Sequence, residues 1–299
     1  MKILVTGGRG QLGRAVVRRG GAAGHEVLAP DVDTLDIRDP GTAIADLRPD
    51  VVINAAAYTA VDKAETERDL AFAINATGAA SLADACRAAG VPLLHVSTDY
   101  VFDGSSTRPY REDDPVAPLG VYGESKLAGE QAVEACGGTV VRTSWLFEEA
   151  GPSFVHTMLR LAKERPVLRV VADQHGRPTW ADDLADALLA LARREGRASR
   201  YHFANAGATT WHGFATAIVD EARRYARSGF AGPRSDAERR AGLSALPCER
   251  VDAITTAEFP TPARRPAYSV LDTSRIEAAG MVPRPWQVGL AEVVRKALA

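Results

Sequence analysis

The sequence predicts an α/β protein: a doubly wound parallel sheet with a smaller carboxyl-terminal unit interleaved with it along the chain. Three observations carry this expectation. Short runs of β-branched and leucine residues recur through the first half, as strands buried on both faces require. A segment with helical spacing follows most of these runs, and repeated β-α-β units of this length imply parallel strands joined by right-handed crossovers. The first run also leads directly into a glycine-rich turn that opens a helix.

In order, the first predicted strand is Ile3 to Val5, and the turn is Thr6-Gly7-Gly8-Arg9-Gly10-Gln11-Leu12-Gly13, opening a helix over Leu12 to Arg19. Its Gly7, Gly10 and Gly13 permit a tight turn and let backbone N–H groups approach a pyrophosphate at the positive end of that helix. With 26 glycines in 299 residues this spacing arises by chance about 0.2 times, so the string alone is weak. Its position between a strand and a helix is the context of a dinucleotide site in a Rossmann-type sheet. The second strand, Glu26 to Leu28, is followed by Pro30-Asp31-Val32-Asp33-Thr34-Leu35-Asp36-Ile37. An acid here, such as Asp33, would accept from a ribose 2′-hydroxyl and favour NAD, whereas Arg9 would pair with a 2′-phosphate and favour NADP. After a helix at Thr42 to Leu47, the third strand, Val51 to Ile53, ends in Asn54-Ala55-Ala56-Ala57, small residues that let a cofactor lie near the backbone. A helix over Leu70 to Ala89 precedes the fourth strand, Leu93 to Val96, which runs into Ser97-Thr98-Asp99-Tyr100, and a fifth strand spans Thr139 to Val141.

Ligands gather at the carboxyl ends of such strands. Ser97 or Thr98 is placed there to donate to a carbonyl oxygen, and Tyr122 and Lys126 open the next helix, Tyr122 to Ala135, four residues apart and on one face. A nearby ammonium favours the phenolate, so the pair is expected to lower the Tyr122 pKa and supply the proton that carbonyl reduction needs.

These motifs together resemble the extended short-chain dehydrogenase/reductase superfamily. Longer strings resemble the dTDP-4-dehydrorhamnose reductase family over essentially the whole chain: Asn54 to Glu65, Ser97 to Gly104, Arg142-Thr143-Ser144-Trp145, Asp173-Gln174 with Pro178-Thr179, and Arg265-Pro266 leading to Ser269 and Leu271-Asp272. The resemblance implies NADPH-dependent reduction, with NADH also compatible, of the 4-keto group of a dTDP-6-deoxy-4-hexulose, giving dTDP-L-rhamnose or a related dTDP-deoxysugar. It implies Thr98, Tyr122 and Lys126 as the catalytic set. The cofactor is expected on Gly7, Gly10, Gln11, Leu12, Gly13, Asp36, Ile37, Ala55, Ala56 and Ala57, with Tyr122 and Lys126, and the sugar on Asp99, Tyr100 and Trp145. Asn75 falls where the superfamily often has a proton-relay asparagine; an N-cap is the competing reading. Two alternatives share the fold. A non-catalytic regulatory subunit, such as that of methionine adenosyltransferase, resembles the same family but would tolerate loss of the tyrosine–lysine pair. A nucleotide-sugar epimerase would retain its cofactor unchanged.

Residues 1–150 are expected to form the cofactor domain, which also takes back about 167–205, through Val167 to Ala172 and Tyr201 to Ala204. Residues 151–299 mainly form the substrate domain, where helices Phe154 to Ala162 and Leu184 to Arg193 flank a strand at Leu168 to Val171. The polar stretch between Tyr225 and Ala263 reads as a surface loop, or as a lid that narrows substrate choice. His175 reads as exposed, and Arg265 as a candidate partner for the substrate's phosphates. A net charge of −2 gives no basis for holding nucleic acid or an anionic membrane. Cys86, Cys136 and Cys248 lack metal-ligand spacing and read as thiols of a reducing compartment; no apolar run approaches membrane-spanning length, so the cytoplasm is expected. Some members of the family hold Mg²⁺ at a subunit contact, so Mg²⁺ is compatible with the resemblance, but no carboxylate cluster here predicts a site and no metal ligand is assigned. Monomer and homodimer both remain open.

Overall fold

The structure is a computed structural model that describes residues 1–30, 32–227 and 246–299. The first half runs β1 (Lys2–Thr6), α1 (Gln11–Ala22), β2 (Glu26–Leu28), α2 (Ala43–Leu47), β3 (Val51–Asn54), α3 (Val61–Ala64), α4 (Arg68–Phe72), a π-helical turn (Ala73–Gly78), α5 (Ala79–Ala89), β4 (Leu93–Thr98), α6 (Val121–Ala135) and β5 (Thr139–Thr143). The second half adds β6 (Leu146–Phe147), α7 (Phe154–Glu164), β7 (Val167–Val171), β8 (His175–Gly176), β9 (Thr179–Trp180), α8 (Ala181–Ala192), β10 (Arg200–His202), β11 (Thr209–Thr210), α9 (Trp211–Arg227), β12 (Arg250–Ile254), α10 (Ser274–Ala278) and α11 (Trp286–Leu298).

Six strands form one sheet in the order β10-β5-β4-β3-β1-β2, every neighbouring pair parallel. Buried residues follow one another along β1, β3 and β5 instead of alternating, because both faces are covered. On one face, Ile3, Val5, Ile53 and Leu94 pack with Leu12 and Val16 of α1 and Leu184 and Leu188 of α8. On the other, Leu4, Val52 and Leu93 pack with Ile44 of α2 and with Leu82 and Cys86 of α5. This is the doubly wound fold the sequence predicts. From β1 the chain goes to β2 on one side and then to β3 on the other, which leaves a crevice at the carboxyl ends of β1 and β3.

A second core joins α7, β7, α9 and α11 through Met158, Leu159, Leu168, Phe214, Ile218 and Val293. Here the sequence reading needs three corrections. β7 does not return to the central sheet; it pairs with β12, five residues in register from Val167–Arg250 to Val171–Ile254. β10 does lie in the central sheet, at its edge beside β5. The helix at Leu184 to Arg193 does not flank β7, since its leucines cover α1 and the central sheet. The polar stretch after Tyr225 is not loop throughout, because Arg250–Ile254 is a strand; residues 228–245, where most of the expected loop or lid falls, lie outside the described residues. Among the described residues no helix is long and apolar enough to cross a membrane.

Candidate active site

The glycine turn and the end of β3 bound a cleft of about 390 Å³, lined by Thr6, Gly7, Arg9, Asp36, Ile37 and Ala55 to Ala57 among others. Gly7 has φ +68°, and a Cβ there would sit 2.7 Å from the Ala56 nitrogen, so this position needs glycine for both its conformation and its space. Gly10 starts α1 without a side-chain cap, which leaves the helix amino terminus to whatever anion enters the cleft. A dinucleotide fits that donor set: backbone N–H groups and a helix terminus for the pyrophosphate, small side chains beside it. Gln11, Leu12 and Gly13 are not among the residues that line the cleft. The Gln11 amide donates to the Pro152 carbonyl at 3.1 Å and Leu12 is buried in the core. Asp33 is exposed in a turn and does not line the cleft, and Asp31 lies outside the described residues. Asp36 does line it, but Arg38 lines it too, binds both carboxylate oxygens of Asp36 and holds that carboxyl below its ordinary range. The acid expected to favour NAD, Asp33, is thus off the cleft, and the carboxylate that does line it is paired with Arg38, with Arg9 also on the lining.

Thr98 ends β4. Its Oγ1 accepts from the Tyr100 N–H at 3.2 Å and donates to Asp99 Oδ1 at 3.1 Å, which turns the chain sharply below Tyr122. Tyr122 begins α6 and meets Tyr100 edge to face at 5.8 Å. The approach is close because Gly123 follows: a Cβ there would fall 2.3 Å from the Tyr100 carbonyl oxygen. A buried pair, Arg142 on β5 with both oxygens of Glu130 at 2.9 and 2.7 Å, fixes the middle of α6 against the sheet. Lys126, one turn after Tyr122, donates to the Val96 carbonyl at 2.8 Å.

Electrostatics here differ from expectation. Burial pushes the Tyr122 phenol up to about 12, opposed by a hydrogen bond from Thr98 and reinforced by the Asp99 charge. The expected lowering by Lys126 does not dominate, because the ammonium is engaged with Val96 and is itself brought down by burial to about 8. Asp99, fully buried, is raised by desolvation to about 7. Tyr122 is thus protonated across the physiological range, which suits a proton donor. Asn75 is not an N-cap. The π-helical turn aims it inward, where its amide accepts from the Tyr58 N–H at 2.8 Å and donates to the Tyr58 carbonyl and to Ser125 Oγ, both at 3.0 Å.

A second cavity, about 530 Å³, lies beyond these residues, lined by Asp62, Phe154, Arg165, Gln174, Trp211 and Arg265 among others. Arg265 joins it to the tyrosines: it pairs with Asp62 at 3.0 and 2.8 Å and hydrogen-bonds Tyr100. Trp145 is not part of the lining. Its indole stacks on Trp211 at 3.7 Å, held by a left-handed backbone at φ +48°, so Trp211 presents the wall and Trp145 supports it. Sequence reasoning missed Trp211, Phe154 and Arg165, which carry no motif; the only signal was an aromatic opening a helix in the second half. His175 is exposed and packs by Tyr268. Among the described residues no three His, Cys, Asp or Glu side chains gather to hold a metal.

Comparison with known proteins agrees with this geometry. A family model described as RmlD substrate binding domain matches residues 1–299. A dTDP-4-dehydrorhamnose reductase of Streptomyces griseus is 46% identical over 97% of this chain and 91% of its own, and one of Burkholderia thailandensis is 43% identical over 100% of both. The structure of dTDP-4-dehydrorhamnose reductase from Bacillus anthracis in complex with NADP has a TM-score of 0.83 to this chain and 35% identity, over 98% of each. The chain with this paired cleft and cavity belongs to the dTDP-4-dehydrorhamnose reductase family.

Proposed function

We propose that the protein is an NADPH-dependent oxidoreductase that reduces the 4-keto group of a dTDP-6-deoxy-4-hexulose to dTDP-L-rhamnose or a related dTDP-deoxysugar. One observation carries the reading: a protonated tyrosine stands at the start of α6, packed on Tyr100 and followed one turn later by Lys126, in a chain that has both a dinucleotide cleft and a cavity of nucleotide-sugar size. The reduced nicotinamide, when bound, supplies a hydride. The chain's own residues manage the proton and the charge. As negative charge develops on O4 of the sugar, Tyr122 gives its hydroxyl proton to that oxygen, while Thr98 turns its hydroxyl from Asp99 to donate a hydrogen bond to it. The phenolate left behind is stabilised by the positive charge of Lys126 on the same helical face. Asp99 and Tyr100 position the sugar, and Arg265, held by Asp62, faces the substrate's phosphates from the cavity wall. Trp211 offers its ring to the base. Two guanidiniums at the adenosine end, Arg9 and Arg38, support NADPH over NADH.

We also read the chain as two units, the cofactor unit being residues 1–150 with α8 and β10, and the substrate unit most of the rest. We assign it to the cytoplasm on its unpaired thiols, of which Cys86 and Cys248 are buried.

The test is a spectrophotometric one. Purified protein given NADPH and a dTDP-4-keto-6-deoxy sugar is expected to consume reduced cofactor in a one-to-one ratio with sugar added. A cofactor signal that stays constant while the sugar is turned over would identify an epimerase, and no change in either a binding subunit.

A further inference from the structure

A row of polar side chains crosses the sheet beneath the site. Register places Thr6 of β1 opposite Asn54 of β3, and Asn54 opposite His95 of β4, and all three are buried. Such groups among Leu4, Val52 and Leu93 are costly unless paired, and each is paired. Thr6 Oγ1 donates to Asn54 Oδ1 at 2.6 Å, Asn54 Nδ2 donates to His95 Nδ1 at 2.9 Å, and His95 Nε2 lies 3.4 Å from Lys126 Nζ. The direction of the row is fixed at Asn54. The Ala56 N–H also donates to its Oδ1, at 3.1 Å, so the amide oxygen is on that side and the NH₂ group must face the imidazole. Nδ1 of His95 is then an acceptor, and the single proton of the neutral ring sits on Nε2, pointing at Lys126.

We propose that His95 is a positioning residue for Lys126: its Nε2–H, locked by Asn54 and Thr6, turns the amine's protons away from the sheet, onto the Val96 carbonyl and the side of α6 that carries Tyr122. The inference rests on Lys126 serving the cofactor and the phenolate as described above. An N–H facing an ammonium also disfavours its charge. The other ionisable groups around Lys126 are Tyr122 and Glu130 on α6, Arg142 on β5, which holds Glu130, and Asp99 after β4. Of these Glu130 favours the charged amine, while burial opposes it and leaves the amine titrating near about 8. His95 cannot take the proton itself, since burial and the Lys126 charge hold its pKa well below the ordinary imidazole value.

The experiment has two parts, neither using a sugar. In ¹⁵N-histidine-labelled protein, NMR is expected to show His95, identified by its loss in His95→Gln, protonated at Nε2 and bare at Nδ1; a proton on Nδ1 overturns the inference. Fluorescence titration of NADPH across pH is then compared in three proteins. Wild type is expected to lose affinity as pH rises past about 8, where Lys126 gives up its charge. His95→Gln can accept from Asn54 and present N–H to Lys126, and is expected to stay within about twofold of wild type. His95→Leu is expected to raise Kd roughly 3- to 10-fold and to move the pH midpoint up by about half a unit or more. An unmoved midpoint in His95→Leu, or Gln behaving as Leu does, overturns it; if His95→Leu does not fold, the tautomer and His95→Gln still decide. Failure here leaves the C4-reductase reading standing, and a protein that binds NADPH this way yet reduces no keto-sugar fails that reading alone.

Discussion

The cofactor cleft and the substrate cavity are built by opposite means. The cleft is built around main chain: a positive-φ glycine, an uncapped helix start and three alanines at the ends of β1 and β3, with Asp36, Ile37 and Arg38 also on its lining. The cavity is made of large side chains from segments far apart in sequence, with Asp62, Phe154, Trp211 and Arg265 drawn from four different places. The first recognises what every dinucleotide shares, a pyrophosphate that backbone donors can cradle. The second must recognise one sugar and one base, which takes shaped side-chain surface. Specificity in this fold is therefore concentrated where the backbone recedes, while Tyr122 stands at the start of α6, packed on Tyr100, with Lys126 one turn on.

That division can be broken by substitution, and the largest effect is expected at the seam. Tyr122→Phe keeps the ring packed on Tyr100 and removes only the proton. Its kcat should fall about 10²-fold or more with little change in Kd for NADPH or for the nucleotide-sugar, measured by steady-state kinetics and equilibrium binding. A near-normal kcat would remove Tyr122 from the chemistry. Next comes Gly7→Ala, confined to the cleft. A methyl at φ +68°, 2.7 Å from a backbone nitrogen, forces the turn to shift. The expected cost is about 1–3 kcal/mol of stability and tenfold or more in NADPH affinity, read by thermal melts and fluorescence titration, with nucleotide-sugar affinity unchanged. Loss of sugar binding in that variant would show that the two regions are not separable.

The same contrast explains what was legible in the sequence. The six-stranded sheet was readable because strands buried on both faces leave continuous apolar runs and because Gly7, Gly10 and Gly13 mark a backbone requirement. Thr98, Tyr122 and Lys126 were readable as residue types at strand and helix ends. The role of β7 was not, since its partner β12 lies more than 80 residues on, within a polar stretch that hides the strand, and nothing local in Val167–Val171 says which sheet it joins. The stacking of Trp145 was not legible either, since its partner Trp211 lies 66 residues later. The Tyr122 pKa was misjudged because helical spacing predicts proximity to Lys126 but not how deeply both are buried.

A smaller effect is expected from the cavity wall. Trp211→Ala removes a ring stacked on Trp145 and bordering the cavity. Aromatic pairing of this kind is worth about 0.5–1.5 kcal/mol beyond area, so KM for the nucleotide-sugar should rise roughly 3- to 10-fold. NADPH affinity should not change in isothermal titration. If NADPH binding weakens equally, the wall is holding the whole molecule together and not the sugar alone.

The last effect is read in stability alone and concerns Asp99, whose carboxyl is shared by neither region but sits beneath Tyr122. Its pKa rises on folding from 3.8 to about 7 because burial removes its hydration. The folded state therefore holds this proton more tightly than the unfolded chain does. The sign follows directly: below pH 4 both states carry the proton and the site is neutral in its effect, whereas between about 4 and about 7 the unfolded chain ionises freely and the folded one does not. Wild type should lose stability through that window as pH rises, and the loss should level off above it. Asp99→Asn cannot ionise, so the difference in Tm between variant and wild type is expected to shift in the variant's favour by a few degrees from pH 4 to pH 7 and then stay constant. Parallel Tm curves would mean that Asp99 is ionised in the folded protein at acid pH.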